Sequence, residues 1–391
     1  MLRKLLLSAL VFLLCAALMG CLLRLYSTGL STGLIYGNVL HAHSHTAMMG
    51  WVYIALASLV YHHFLGRSGY HFIFGATVCA VVGLLIAFIV QGYGPVSIFF
   101  CVLHLACSYI FAFKVLRTVR GSESQADVLL KIAMYMLLAS TLGLWGIGPS
   151  MALSDRVAGL FSACIQFYLH FQFNGFFYFG VLALIFSSSK VILKQTAFNS
   201  FVAFSVLSTV LTFALPLSWF FSGAYHYLWL LLGMAFQVIA LCYFLPVIKF
   251  IANGTFFMKC LSFFALSSLV LKHVLPLFFV NPDIMRLSHK IRSITIGYIH
   301  LLMLGMITAF LIFWMAKIHV LDSGSKSFKW GVFLFLISFC LTEGLLLLQS
   351  AQVLLHFPSW KYQFWALACC SLPFPAAVVC WIFSVKKEVI G

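Results

Sequence analysis

The sequence predicts an all-α polytopic membrane protein of about twelve transmembrane helices, built as three pseudo-repeats of four. Three observations predict it. Hydrophobic residues make up 64% of the 391 and charged residues only 8%, with seven carboxylates in all. Apolar runs of about 20 residues, the length a helix needs to cross hydrocarbon, recur from end to end. A histidine–glycine pattern also returns at intervals of four such runs.

Taken in order, spans 1 to 12 fall near residues 4–25, 42–66, 70–92, 95–118, 128–150, 158–187, 197–219, 226–250, 256–280, 291–317, 329–355 and 362–385. The longest connection, 26–41, runs sixteen residues and the others eleven or fewer, too short for a separate soluble domain, so 1–391 reads as one integral membrane domain. Span 1, "MLRKLLLSALVFLLCAALMGC", has the basic start and small residues of a signal peptide, and Leu18-Met19-Gly20-Cys21 resembles a lipoprotein cleavage box. The apolar run continues through Cys21-Leu22-Leu23, and the parity of twelve spans works with the segment retained, so it is read as a span.

The net charge of +16 describes topology rather than nucleic-acid binding. On alternate sides of a twelve-span chain, sixteen cations fall with the N-terminus: Arg3, Lys4, Arg67, Lys114, Arg117, Arg120, Lys131, Lys190, Lys194, Lys249, Lys259, Lys317, Lys326, Lys329, Lys386 and Lys387. Six fall on the other side, Arg24, Arg156, Arg286, Lys290, Arg292 and Lys361, while Lys272 lies inside span 9. Cytoplasmic loops carry the excess of Lys and Arg, so both termini are expected in the cytoplasm. The lipid bilayer is the expected partner, and nucleic acid is not. Twelve cysteines include no C-x-x-C, which leaves them as small hydrophobes within spans.

This orientation sorts the histidines by depth. His41, His43 and His45 open span 2 in "NVLHAHSHTAMMGW"; His104, His170, His226, His273, His289, His300 and His356 also fall in the outer half. Ten of fourteen histidines therefore gather there, leaving His62, His63, His71 and His319 cytoplasmic. Interface histidines are common and often inert. His170 and His300 are different, since "FYLHFQFNGFFYFG" and "GYIHLLMLGMITAF" surround them with apolar residues, and imidazole buried in hydrocarbon calls for a ligand, a partner or a wet cavity.

His45-x4-Gly50, His170-x4-Gly175 and His300-x4-Gly305 share one pattern, spaced 125 and 130 residues apart on spans 2, 6 and 10. With 27 glycines in 391 residues, about one of fourteen histidines matches by chance, and four do, the fourth being His319 to Gly324 in a polar loop. The spacing is that of a threefold repeat of four helices. Each helix would carry an imidazole toward a shared interior, with a glycine beyond it that lets a bulky neighbour or a flat cofactor approach.

Twelve spans, cytoplasmic termini and histidines on spans 2, 6 and 10 resemble the catalytic subunit (subunit I) of the haem–copper oxidase and nitric-oxide reductase superfamily. The resemblance implies an oxidoreductase in a bacterial-type inner membrane, with haem b, copper and a quinol or cytochrome electron donor. On that pattern His300 and a span 2 histidine, His43 or His45, would hold a low-spin haem, and His170 would be a copper ligand. His41-Ala42-His43 is also similar to the HAH of twelve-span haem and copper proteins of the nitric-oxide response, which makes His41 a further metal ligand.

The chain departs from the superfamily where its binuclear centre would lie. Tyr298 stands in place of the high-spin haem ligand, span 7 has no histidine, and Asn174 replaces the expected tyrosine or acid. The resemblance therefore implies a haem-binding, copper-capable redox or gas-ligand protein rather than one that reduces oxygen by the family mechanism. The alternative is a transporter whose histidines line a substrate or metal path.

The other polar residues can be weighed singly. His41 and His45 share a helical face and His43 points away. Met48 and Met49 offer soft thioethers, although core packing is the commoner role. Glu343 and Lys272 are the deep ionisable groups, suited either to a proton path or to structural charge pairing. Gln166, Gln172 and Asn174 give span 6 a polar stripe.

Overall fold

The structure is a computed structural model that describes residues 1–30, 32–66, 69–153, 157–188, 193–221, 223–248, 254–281, 284–285 and 288–386. Arg67, Arg156, Lys190, Lys249, Arg286 and Lys387, counted in the charge asymmetry, lie outside the described residues. Among the described residues twelve helices are long and apolar enough to cross a membrane. They are Leu2–Tyr26, Tyr36–Leu65, His71–Gln91, Pro95–Thr118, Gln125–Ala152, Leu160–Ser187, Gln195–Ser218, Ala224–Val247, Phe256–Phe279, Arg292–Lys317, Lys326–Leu354 and Gln363–Phe383, and they keep the numbers 1 to 12. The protein is an all-α polytopic membrane protein.

The largest shift from the sequence-based boundaries is at span 2. Its helix begins at Tyr36, before the three histidines, after Ile35 in extended conformation. Asn38 ties this first turn to span 3 by donating to the Ile89 carbonyl at 3.3 Å. His41, His43 and His45 are therefore all helical, and the face that each side chain occupies is fixed.

The packing resolves two compact units. The first holds Met1–Lys114, Gly254–Leu261 and Thr308–Gly391, and the second holds Val115–Asn253 and Ser262–Ile307. In the first, span 2 is the inner helix, with Trp51, Ile54 and Leu56 almost wholly buried. In the second, span 6 takes that place through Phe176, Phe177 and Phe179. Spans 2, 6 and 10 bury 78%, 89% and 67% of their apolar windows, against 33–50% for the other nine. A span with most of its surface covered by protein can carry polar side chains that lipid would reject.

Candidate functional site

The three buried spans share a local feature that their common motif marks. In span 2 the α-helix runs to His45 and gives way to a π-helical segment at Thr46–Tyr53. In span 6 it runs to Phe171, with the π segment at Gln172–Phe177. In span 10 it ends at His300 and the π segment is Leu301–Thr308. Each H-x4-G histidine thus sits at the last α turn, and each glycine lies inside the π turn. One further π segment among the described residues, Tyr61–Leu65, lies at the far end of span 2. A π turn pairs groups five residues apart, widens the helix and re-aims its side chains, and such turns are frequent at functional sites.

The glycines serve close helix packing at two of the three positions. A Cβ on Gly50 would stand 2.9 Å from Phe12 Cβ of span 1 and 2.9 Å from Val81 Cγ1 of span 3. A Cβ on Gly175 would stand 2.8 Å from Met136 Cβ of span 5. Gly50 and Gly175 are 125 residues apart, and their partners Phe12 and Met136 are 124 apart, so the repeat extends to neighbouring spans. Of the two approaches the sequence allows, a bulky neighbour takes the place of a flat cofactor at these glycines.

In the first unit, His45 donates from Nδ1 to the His41 carbonyl at 2.9 Å. Its Nε2 is then the lone-pair nitrogen and accepts from the Tyr93 hydroxyl at 3.2 Å. His41 lies on the same face, its ring centre 6.4 Å from that of His45 and 4.6 Å from Tyr93, while Phe88 closes on His45 at 4.5 Å. His43 points away, as its helical position requires, and donates from Nδ1 to the Ala16 carbonyl of span 1 at 2.8 Å. His104 of span 4 is buried, hydrogen-bonded to the Met49 backbone and within electrostatic range of His45. The Tyr53 ring lies 4.7 Å from it. Lower in this unit Trp51 donates to Thr308 Oγ1 at 2.7 Å, joining span 2 to the second half of span 10.

In the second unit, His170 donates from Nε2 to the Thr209 carbonyl at 2.8 Å. That carbonyl is available because span 7 breaks there. Phe213, which in a continuous helix would donate to Thr209, donates instead to Val210 at 3.3 Å, three residues ahead of Pro216. Thr209 Oγ1 donates to the Asn174 carbonyl at 3.3 Å, and Tyr298 donates to Asn174 Oδ1 at 3.5 Å. The two residues that stand where the superfamily has a haem ligand and a tyrosine or acid are therefore paired with each other. Gln172 donates to Ser140 at 3.0 Å. Lys272, only 3% exposed, holds its ammonium 4.2 Å from the centre of the Tyr178 ring, with His170 and His273 in electrostatic range.

The expected site residues are thus distributed over two units. His41, His43 and His45 lie in the first, His170 and His300 in the second. Among the described residues no three His, Cys, Asp or Glu side chains are arranged to hold a metal ion, so neither His41 nor His170 stands in a ready three-ligand centre. Backbone carbonyls accept from His43, His45 and His170. Ser44 is turned back to Leu40 and His41 of its own helix. His104 and Tyr93 were not among the candidates. Only the Gly92-Tyr93-Gly94 turn and a lone histidine in "CVLHLACSY" mark them in the sequence. No protein-family model matches the chain, and no curated protein matches it.

Proposed function

We propose that the protein is a haem-binding, copper-capable membrane redox or gas-ligand protein, a divergent relative of haem–copper oxidase subunit I without its usual binuclear centre. One observation carries the reading: each of the three most buried spans brings a histidine to the edge of a π turn. Three of the histidines on these spans also show the donor chemistry that ligation needs. A metal-ligating imidazole usually gives its other N–H to a carbonyl, which fixes the ring and its tautomer. His43, His45 and His170 each do so.

On the resemblance, His300 and either His43 or His45 would hold the haem. Bound haem b would supply a one-electron couple, held by neutral imidazoles of this chain. The chain's part is to hold the rings in one tautomer, to bury them, and to keep water from the ring faces with Phe88 and its aromatic neighbours. A transporter would need helices broken near mid-membrane; the breaks at Thr212–Phe213 and Leu275 lie near the ends of spans 7 and 9.

The setting proposed is a bacterial-type inner membrane, with both termini cytoplasmic and electrons arriving from a quinol or a cytochrome. Cysteines introduced at Gly121 and Gly324 should be shielded from an impermeant thiol reagent in intact cells, and labelling of both would reverse the orientation. For the haem, His300→Ala should abolish the low-spin reduced spectrum while the protein remains folded in the membrane. An unchanged spectrum would remove His300 from the site.

A further inference from the structure

The second unit buries a cation for which the described residues supply no counter-ion. Lys272 is 3% exposed, and its ammonium lies 4.2 Å from the centre of the Tyr178 ring. Among the described residues no carboxylate and no hydrogen-bond acceptor engages it. The described acids of this unit are Glu123 and Asp127, in the turn that opens span 5, where Asp127 accepts from Ser122 and Ser124. Spans 5 and 9 start on the same side of a twelve-span chain, and Lys272 stands about 24 Å of helix beyond the start of span 9 at Phe256. A ring face attracts an ammonium but leaves most of its three N–H donors unused. Buried charges are normally paired, because an unpaired one forfeits its hydration.

The local backbone favours a charge here without neutralising it. Lys272 and His273 lie in the last turn of the α-helix Phe256–Val274, where the helix dipole favours a cation. Pro276 follows, and it has no N–H to give the Lys272 carbonyl. His273 adds no second donor: its Nδ1–H goes to the Leu269 carbonyl at 2.7 Å, which leaves the lone pair on Nε2. Its ring stands 6.0 Å from that of Tyr178. We infer that Lys272 is the centre of a binding site for one small monovalent anion of the weakly hydrated class, such as iodide or bromide. One ammonium balances one negative charge, so a divalent anion would leave an excess buried. A single set of N–H donors beside aromatic rings returns little of the hydration that an anion gives up, so the anions that hold water least are favoured. The site uses none of the histidines assigned to haem or copper and does not depend on that reading.

The test is equilibrium dialysis of the full-length protein in detergent against radioactive iodide, with ionic strength held constant by gluconate. Wild type should bind one iodide per chain, displaced by bromide at a lower concentration than by chloride, and least by fluoride. Lys272→Met keeps an unbranched side chain without the charge and should weaken binding at least about tenfold. Tyr178→Phe keeps the ring face and His273→Asn removes a neutral group, so both should bind like wild type. The wild-type unfolding midpoint should rise with the same anions in the same order, a reading that stands even if Lys272→Met does not fold. A wild type that takes up no iodide overturns the site, and so does displacement led by fluoride. Lys272→Met binding iodide like wild type also overturns it, since the anion is then held elsewhere, a haem iron included.

Discussion

The two units build on the same local motif and put it to different use. In the first, the histidine before the π turn is tied within its own helix, so its Nε2 is turned outward to an exposed tyrosine. In the second, His170 reaches across to span 7 and occupies a carbonyl that a helix break has released. Its surroundings then fill with paired polar groups, Asn174 with Tyr298 and Gln172 with Ser140, and with the ammonium of Lys272 over Tyr178. The same motif therefore leaves His45 against a displaceable phenol and His170 held on a backbone carbonyl of the next span. Similar sequence around a histidine sets where it stands on the helix, while the neighbouring span decides whether its nitrogen is free.

The sharpest way to break this comparison is at the glycines. Gly50→Val should place methyl groups against both Phe12 and Val81, and overpacking of that kind costs about 1–3 kcal/mol. Gly175→Val has Met136 alone among its three nearest atoms, against two side chains at Gly50, and should cost less. Thermal unfolding in detergent, followed by the fraction still monodisperse, should rank Gly50→Val below Gly175→Val. Gly50→Val combined with Phe12→Ala should recover part of the loss.

The histidines come next. His170→Ala leaves the Thr209 carbonyl without its donor in a buried position, a loss of about 1–3 kcal/mol in stability. His45→Ala removes a bond to a carbonyl of its own half-exposed helix end and should shift the same unfolding midpoint less. Equal shifts would mean that the two rings are equivalent and that the contrast between the units is wrong.

Much of this architecture was legible in the residues. The apolar runs placed twelve spans, and the H-x4-G spacing identified spans 2, 6 and 10 before their burial was known. Helical geometry alone separated His43 from His41 and His45. The π turns were not legible, because a π turn is set by packing against neighbouring spans, and "TAMMGWVY", "QFNGFF" and "LLMLGMIT" share little beyond the glycine. His104 was equally hidden: one histidine in an apolar helix has no periodicity, and only the Met49 contact shows which way it faces. The pairing of Tyr298 with Asn174 joins residues 124 apart, and no local pattern predicts it.

The smallest effect should come from Lys272. Replacing it with Met removes a buried ammonium together with its contact to Tyr178, and the saved desolvation should nearly balance the lost cation–π attraction. Tyr178→Leu with Lys272 retained should be the more damaging change, because the charge then loses its partner. A double-mutant cycle on the unfolding midpoint checks this, and additivity of the two substitutions would show that the ring and the ammonium are not coupled.

The central proposal is that histidines of spans 2 and 10 bind haem. A reduced-minus-oxidised optical spectrum of wild-type protein, made with ample haem and purified in detergent, tests it most directly. The account predicts a low-spin b-type spectrum at about one haem per chain, absent from His300→Ala and from one of His43→Ala and His45→Ala. Wild-type protein that carries no haem under these conditions would contradict it.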